Sequence, residues 1–242
     1  MERRILAAED DERRSRQAAI VKKMPPELVI FDCDGVLVDT EGATNALLAA
    51  NLSRYGPALT AEQCIEKFVG GTMADVGRHA QNDGYDLPDT WIDEIYREMF
   101  ARLAKGVDLL PGVMDMLDQL DRFAIPYCVG SNGPMKKMEI TLGPSGLWQR
   151  LEGRIFSPHV IGMEHAKPAP GLFLHAAHAM GVAPADAIVV EDSYGGACAA
   201  RSAGIRCFGL VGMTSKSRLL EAGAIPIDEI ADLSTFLKLD KP

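Results

Sequence analysis

Two aspartates, Asp32 and Asp34, directly follow a short apolar run and have the i, i+2 spacing that points side chains the same way in extended chain. The run, residues 28–31, lacks polar alternation and is typical of a buried parallel strand. Ligands bind at the carboxyl ends of such strands in open α/β sheets. Two carboxylates this close repel unless a cation or a proton offsets them. The pair therefore predicts a small acidic site or, because Asp-Gly is a common turn pair, a simple acidic turn.

Three later stretches also end in side chains that could do chemistry. These side chains are Ser131 and Asn132, then Lys167, then Glu191 and Asp192. Parallel strands place their carboxyl ends on one edge of a sheet, so such groups can converge although they are far apart in sequence. The carboxylates predict an oxygen site of the kind that Mg²⁺ prefers, and the hydroxyl and the lysine predict a small anion site beside it. Taken singly, the serine and the asparagine are ordinary helix caps, and the lysine is an ordinary solvated side chain.

The elements that must position these groups alternate between strand and helix in the second half of the chain. Strands are predicted over 28–31, 125–130, 154–157, 187–190, 205–210 and 224–227. Helices are predicted over 113–123, from 134 onward, from 168 to 180, from the glycine-rich turn 193–196 to 203, and over 228–237. Repeated strand–helix units imply a doubly wound parallel sheet, so the predicted fold class is α/β.

A stretch without strand-like runs separates the first predicted strand from the others. Its helical patterns cover 43–52, 61–68, 73–80 and 91–103, with glycine and proline breakers between them. The predicted domains are an α/β core formed by 25–40 and 111–242 and a helical cap inserted at 41–110. The apolar stripe from Ile92 to Leu103 has helical spacing, and we interpret it as bundle core and not as a cofactor surface.

Composition and charge exclude several classes of protein. At 47% hydrophobic and 24% charged residues the chain has the composition of a globular protein, and its net charge of −9 argues against nucleic-acid or anionic-membrane partners. Five cysteines without metal spacing favour a reduced, cytoplasmic setting. No apolar run reaches the ~18 residues that a membrane span needs. The charged residues 1–24 predict a solvated helix or a disordered arm, and we expect Met24, just before Pro25 and Pro26, to be an alternative start of translation.

Four motifs, in their order along the chain, resemble those of the haloacid dehalogenase-like superfamily. They are Asp-Cys-Asp-Gly-Val-Leu-Val-Asp-Thr-Glu (32–41), Gly-Ser-Asn-Gly (130–133), Lys-Pro-Ala-Pro (167–170) and Val-Glu-Asp-Ser (190–193). The similarity extends from about residue 27 to 212 and is to the branch of phosphatases and phosphomutases that has a helical cap after the first motif. It implies a Rossmann-like α/β core and an enzyme, a phosphoric monoester hydrolase.

The resemblance also implies a role for each motif residue. Asp32 is the nucleophile that attacks phosphorus and forms an aspartyl-phosphate, and Asp34 is the acid and base that serves the leaving alcohol and the attacking water. Ser131, Asn132 and Lys167 bind the phosphoryl oxygens. Lys167 is further expected to pair with Asp32.

A single Mg²⁺ ion is the cofactor that the resemblance implies. Its expected ligands are Asp32, the main-chain carbonyl of Asp34, and Asp192. Glu191 is expected either to bind the ion directly or to lie just behind its ligands. The ion would offset negative charge while that charge shifts between the nucleophile and the phosphate.

The substrate would be selected by the cap, where we expect Thr72, Met73 and Arg78 to contact it. The stretch 131–138 resembles sugar-phosphate phosphatases of the 6-phosphogluconate type. This resemblance implies a small phosphorylated sugar or sugar acid as the partner. A cap that closes over the core would exclude bulky substrates such as phosphoproteins.

Several alternatives remain open at this point. Phosphomutases of the β-phosphoglucomutase type have a histidine and an arginine in the cap, where this chain has Thr44 and Met73. Both differences remove groups that would hold or respond to a second phosphate, so they favour hydrolysis. Arg78, His79 or Lys67, from the same region of the cap, could substitute for these groups. A dehalogenase would not need Asp34, and a non-catalytic binding protein would be expected to have lost a motif residue. The sequence leaves both a monomer and a dimer open.

Overall fold

The computed structural model describes residues 25–68 and 72–239, and the predicted extension at 1–24 lies outside them. The described residues form a six-stranded parallel sheet with the order β3-β2-β1-β4-β5-β6. Its strands are β1 (Leu28–Phe31), β2 (Tyr127–Gly130), β3 (Ile155–Phe156), β4 (Ala187–Glu191), β5 (Arg206–Leu210) and β6 (Ile225–Ile227). The predicted α/β class with a doubly wound parallel sheet is confirmed. The strand order reverses between β1 and β4, which is where such sheets bind ligands.

Both faces of the sheet are covered. Val29 and Phe31 of β1 belong to the apolar core on one face, and Leu28 and Ile30 belong to the core on the other. All four side chains are at most 1% exposed. This double burial explains why the strands are continuous apolar runs and do not alternate with polar residues.

Four helices follow β1, with no strand between them in the described part of the chain. They are α1 (Glu41–Leu52), α2 (Ala61–Phe68), α3 (Met73–Asn82) and α4 (Trp91–Leu103), and we call them the helical block. Leu52, Trp91 and Ile95 are buried in an apolar core within this block. The Trp91 indole N–H donates to Asn51 Oδ1 at 2.7 Å, which satisfies a buried polar group. The cap boundaries at 41 and 110 stay a prediction.

The remaining helices flank the sheet. They are α5 (Val113–Arg122), α6 (Met135–Leu142), α7 (Leu147–Arg150), α8 (Pro158–Ile161), α9 (Gly171–Ala179), α10 (Tyr194–Ser202), α11 (Lys216–Ala222) and α12 (Asp232–Leu237). Short 3₁₀ turns lie at Met163–His165 and Pro184–Asp186. No helix in the described ranges is both long enough and apolar enough to span a membrane.

Two helices begin later than the sequence predicts. The helix expected from 168 begins at Gly171, because Pro168 and Pro170 each disfavour helical geometry in the residue before them. The helix expected from 228 begins at Asp232. The Asp232 carboxylate instead accepts hydrogen bonds from the backbone N–H groups of 228–229, which holds those residues in a turn ahead of the helix.

Candidate active site

The turn after β1 carries the two aspartates to the carboxyl edge of the sheet. The Asp32 backbone N–H donates to the Val190 carbonyl at 2.9 Å and so extends the pairing one residue beyond the strand. Gly35 has φ +74°, a left-handed conformation that glycine adopts without a steric penalty. Asp34 then pairs with Val38 in an isolated bridge. As a result both aspartate side chains line one cavity.

Lys167 links the first of these aspartates to the end of β4. Its Nζ lies 2.6 Å from Asp32 Oδ1 and 2.6 Å from Glu191 Oε1, and the residue is 3% exposed. The same ammonium group lies 4.8 Å from the centre of the Phe173 ring, within cation–π range. Burial alone would lower the pKa of Lys167, but the charges of Asp32 and Glu191 outweigh burial and raise it. Lys167 is therefore a buried cation, and its expected contact with Asp32 is present.

The charge balance at Asp32 leaves room for a further cation. Burial raises the pKa of Asp32 to about 7, although Lys167 opposes this rise, and Glu191 adds to it. The pKa of Asp32 is therefore raised even with Lys167 beside it. A divalent ion beside this carboxylate would lower its pKa and keep it charged.

Glu191 uses both of its carboxylate oxygens within the protein. Oε1 accepts from Lys167, and Oε2 accepts from the backbone N–H groups of Asp192 and Ser193 at 3.0 and 2.9 Å and from the Ser193 hydroxyl at 2.8 Å. The following helix packs against this carboxylate so closely that a Cβ at Gly196 would lie 1.9 Å from Glu191 Oε1. Glu191 thus fixes the turn that presents Asp192 to the cavity.

Three carboxylates form a group that fits a metal ion. One oxygen of each of Asp32, Glu191 and Asp192 lies within 4.8 Å of the others, and all three residues are buried. Buried carboxylate oxygens suit a hard divalent cation. The Asp34 carboxylate does not belong to this group among the described residues. The expected contribution of the Asp34 main-chain carbonyl is a separate matter and stays a prediction.

The Asp34 carboxylate is instead held by two neighbours. Lys137 Nζ lies 2.7 Å from Oδ2, and the Thr40 hydroxyl donates to Oδ1 at 2.6 Å. Burial alone would raise the pKa of Asp34, but Lys137 and Thr40 outweigh it and bring that pKa below its ordinary value. Lys137 was not among the site residues that the sequence predicted. Lys137 lies in the first turn of α6, the helix that follows Ser131. This position near the edge of the sheet is the feature of the sequence that could have indicated it.

The loop after β2 is tied to the loop that carries Lys167. The Asn132 side-chain amide donates to the Lys167 carbonyl at 3.1 Å, and its oxygen accepts from the Lys167 N–H at 2.9 Å. Both ends of the Asn132 side chain are therefore used to position the lysine. The buried Ser131 hydroxyl accepts from the Gly133 N–H at 3.1 Å and retains its own proton for donation.

The site opens into a cavity of about 140 Å³ between the sheet edge and the helical block. The expected core residues Asp32, Asp34, Ser131, Asn132, Lys167, Glu191 and Asp192 all line it. Its opposite wall, the block wall, consists of Thr44, Asn45, Leu48, Phe68, Thr72, Met73, Val76, Tyr96 and Met99. Two of these, Tyr96 and Met99, belong to the stripe that the sequence analysis interpreted as bundle core, so that helix also serves the cavity.

The expected substrate contacts of the cap divide into two groups. Thr72 and Met73 line the cavity, and the Thr72 hydroxyl also caps α3 through Asp75. Arg78 is not brought into the cavity. Its guanidinium pairs with Asp75 one turn earlier on α3, and its side chain is 66% exposed. The i, i+3 spacing of Asp75 and Arg78 explains this orientation.

Comparisons with known proteins agree with the motifs. The chain matches the family of haloacid dehalogenase-like hydrolases over residues 29–210. The 6-phosphogluconate phosphatase of Escherichia coli (strain K12) is 32% identical over 184 residues, which cover 75% of this chain and 81% of that protein. The validoxylamine A 7'-phosphate phosphatase of Streptomyces hygroscopicus subsp. limoneus is 30% identical over 207 residues, which cover 82% and 92%.

A solved structure shows the same agreement in three dimensions. A haloacid dehalogenase-like protein of unknown function from Agrobacterium tumefaciens superposes with a TM-score of 0.76 at 32% identity, covering 88% of this chain and 98% of that one. The family match extends over most of the chain and includes all four motifs. The chain therefore belongs to the haloacid dehalogenase-like hydrolase family, as its motifs predicted.

Proposed function

We propose that this hydrolase is a Mg²⁺-dependent phosphatase that acts on a small phosphorylated metabolite, a sugar or sugar-acid phosphate, through an aspartyl-phosphate intermediate. The observation that carries the proposal is the buried Asp32 carboxylate, which is held by Lys167 in a cavity that also contains Asp34 and Ser131. The relatives named as phosphatases share the enzyme class expected from the sequence, a phosphoric monoester hydrolase.

The first step transfers the phosphoryl group to the protein. A carboxylate oxygen of Asp32 forms a bond to phosphorus, and the bond from phosphorus to the ester oxygen breaks. Asp34 gives its proton to that departing oxygen, which leaves as an alcohol. In the free protein Lys137 keeps Asp34 ionised, so Asp34 takes up a proton from solvent when the substrate binds, and the negative charge of the phosphate favours this by raising the pKa of Asp34.

The second step restores the protein. A water molecule gives a proton to Asp34, its oxygen bonds to phosphorus, and the bond from phosphorus to the Asp32 oxygen breaks. Inorganic phosphate leaves and Asp32 is a carboxylate again. The lowered pKa of Asp34 suits this step, because Asp34 must be ionised in order to accept the proton.

The phosphoryl oxygens are held by fixed donors beside the nucleophile. The Ser131 hydroxyl retains a proton to donate, and the Lys167 ammonium group supplies positive charge next to Asp32. Asn132 acts through Lys167, since its side-chain amide is bonded to the lysine backbone. These groups are in place before substrate arrives, so little reorganisation accompanies the reaction.

Asp32 and Asp192, together with the main-chain carbonyl of Asp34, would hold Mg²⁺. Glu191 lies behind these ligands, because its oxygens are bonded to Lys167 and to the turn before α10. When bound, the ion offsets the negative charge of the nucleophile and the phosphoryl group. The fit rests on the buried oxygen donors within 4.8 Å of one another and on the raised pKa of Asp32.

Phosphate release from a panel of sugar phosphates, measured with Mg²⁺ and again with a chelator, tests the proposal. The panel includes 6-phosphogluconate and β-glucose 1-phosphate. We expect Mg²⁺-dependent release from a narrow set of esters. Conversion of β-glucose 1-phosphate to the 6-phosphate without net release would instead identify a mutase. No reaction with any ester would contradict an enzymatic role at this site.

A further inference from the structure

Both cations that line the cavity are already paired beside the nucleophile. Lys167 lies between Asp32 and Glu191, each at 2.6 Å, and Lys137 lies 2.7 Å from Asp34. Both lysines belong to the core side of the cavity, where the phosphate is expected. The lysines therefore have partners at the reacting end and do not provide a separate positive site for the rest of the substrate.

The block wall carries no charged side chain among the described residues. Its polar members are neutral, and they include Thr44, Asn45 and Thr72. Tyr96 also stays neutral, because burial raises its pKa to about 12. Among the described residues the far end of the cavity is therefore uncharged, with hydroxyl and amide groups among apolar side chains.

Nearby cations of the helical block are bound to carboxylates elsewhere. Lys67 lies 2.7 Å from Asp83, and Arg78 pairs with Asp75. Both side chains are largely exposed, at 46% and 66%, and neither lines the cavity. Lys67 and Arg78, two of the residues that the sequence analysis considered as substitutes for the mutase groups, are therefore directed away from the substrate.

An anionic leaving group would be poorly accommodated in this cavity. The two lysines and a bound divalent ion would offset the four carboxylates that line it, so the phosphate already brings excess negative charge to the cavity. A second carboxylate or phosphate on the substrate would lose water against the block wall without gaining a cation. A neutral hydroxyl group meets a better match, since it loses less on leaving water than an ionised group and the block wall offers uncharged hydroxyl and amide groups.

We propose that the substrate is the phosphate monoester of a neutral polyol or sugar, and that sugar-acid phosphates and bisphosphates are discriminated against. This inference rests on the proposed phosphatase function and narrows its substrate class. The uncharged block wall makes the selection. The opposite side, which we call the core wall, carries the charged residues of the cavity and serves the phosphate that all such esters share; these residues are Asp32, Asp34, Lys137, Lys167, Glu191 and Asp192.

Matched pairs of esters test this inference without any mutation. Glucitol 6-phosphate and 6-phosphogluconate have the same open chain and differ only in a CH₂OH group against a carboxylate at the far end. The esters 2-hydroxyethyl phosphate and phosphoglycolate form a smaller pair of the same kind. We expect kcat/KM to be about tenfold or more higher for the neutral member of each pair.

A charge placed on the block wall should reverse part of this preference. Met73→Lys adds a cation where the wall is now apolar, so kcat/KM for 6-phosphogluconate should rise relative to glucitol 6-phosphate. Gln81→Lys is the matched control, because it adds the same charge to an exposed position of α3 that does not line the cavity. This control should leave the ratio of the two kcat/KM values unchanged.

The failures of the two proposals are distinguishable. Phosphate release that favours the acid in both pairs would overturn the neutral substrate class and leave the phosphatase function standing. An equal gain for 6-phosphogluconate in Met73→Lys and Gln81→Lys would show that the wall does not make the selection. Release from no ester at all would overturn the phosphatase function, and the substrate class with it.

Discussion

The two walls of the cavity are built on opposite principles. On the core wall each charged group has a fixed partner, as in the contacts of Lys167 with Asp32 and Glu191. On the block wall the side chains are neutral, and the Thr44 hydroxyl has no partner among the described residues. A preorganised charged wall suits chemistry on a group that every substrate carries. A neutral wall of hydroxyl, amide and apolar groups suits selection among substrates.

Asp32→Asn should break the core wall most severely. The amide cannot form the aspartyl-phosphate, so we expect phosphate release to fall by about 10⁴-fold or more. The measurement is the steady-state rate with Mg²⁺, together with a circular dichroism spectrum to show that the fold is retained. Asp228→Asn, at an exposed position outside the cavity, is the control and should retain the rate. Turnover that survives in Asp32→Asn would show that another group is the nucleophile.

Lys167→Met should be costly to both activity and stability. It leaves Asp32 and Glu191 buried side by side without their cation, and breaking a buried pair of this kind costs about 3–5 kcal/mol. Urea unfolding measures this loss. Lys136→Met removes a lysine that is 62% exposed, and should change the free energy of unfolding by less than about 1 kcal/mol. An equal fall in the free energy of unfolding in the two variants would mean that the buried ion pairs of Lys167 stabilise the fold no more than a surface pair does.

Gly196→Ala tests the packing behind the core wall. Alanine favours the helix by about 1 kcal/mol over glycine, but its Cβ would lie 1.9 Å from Glu191 Oε1. Relief of this clash moves the carboxylate that holds Lys167, so we expect a net loss of about 1–3 kcal/mol and a lower kcat. Gly212→Ala, where no atom lies within 4 Å of the new Cβ, is the matched control. A more stable Gly196→Ala protein would show that the turn can shift freely.

Lys137→Met should give a stability loss that depends on pH. Lys137 brings the pKa of Asp34 below its ordinary value of 3.8, so it stabilises the fold above about pH 4, and this effect is lost as the pH falls through the folded-state pKa. Without Lys137, burial would raise the pKa of Asp34, and protonation would relieve the buried charge. We therefore expect a deficit of about 1–3 kcal/mol at pH 7 that shrinks below pH 4.

The measurement is urea unfolding of the unsubstituted protein and of Lys137→Met at pH 7 and at about pH 3, without added metal. Lys136→Met is again the control, because Lys136 pairs with Glu139 at the surface. A Lys137→Met deficit that stays constant between the two pH values would contradict the assigned role of the Asp34 pair.

Met73→Ala should have the smallest effect of the set, and it concerns the block wall. Met73 is only partly buried, so its truncation should change stability by about 1 kcal/mol or less. We expect KM to change by a few-fold in a way that depends on the alcohol part of the ester, with kcat changing less. Steady-state kinetics on two neutral esters of different size measure this. A large fall in kcat for both esters would mean that the block wall takes part in the chemistry.

The sheet was predictable because its signal is local. The central strands β1, β2 and β4 are buried on both faces and consist mainly of apolar residues, and these runs were visible in the sequence. The first and last residues of the strands were harder to predict. β2 begins at Tyr127 and not at 125, because Pro126 has no N–H to donate to the sheet and contributes only its carbonyl, which accepts from Val29.

Strand topology predicted the part of the candidate site whose residues follow strands, whereas the roles of Lys167, Thr72 and Met73 were expected from the resemblance to the family. Asp32, Ser131 and Asp192 had to meet at one edge, because parallel strands end there. Lys137 and Tyr96 lie on helices, and the face that a helix turns to a cavity depends on its packing against neighbours far away in sequence. No local sequence pattern therefore predicts that these two residues line the cavity.

The bridging position of Lys167 has a thermodynamic consequence for metal binding. Its ammonium group already neutralises part of the acidic cluster, so we expect the core to fold without a divalent ion. Metal-dependent folds such as zinc fingers differ, because there the binding free energy is the folding free energy. Added Mg²⁺ should therefore stabilise this protein only by mass action, with a gradual rise in Tm as its concentration exceeds Kd. Mg²⁺ would thus be an exchangeable component of the site, which the folded chain can lose and regain.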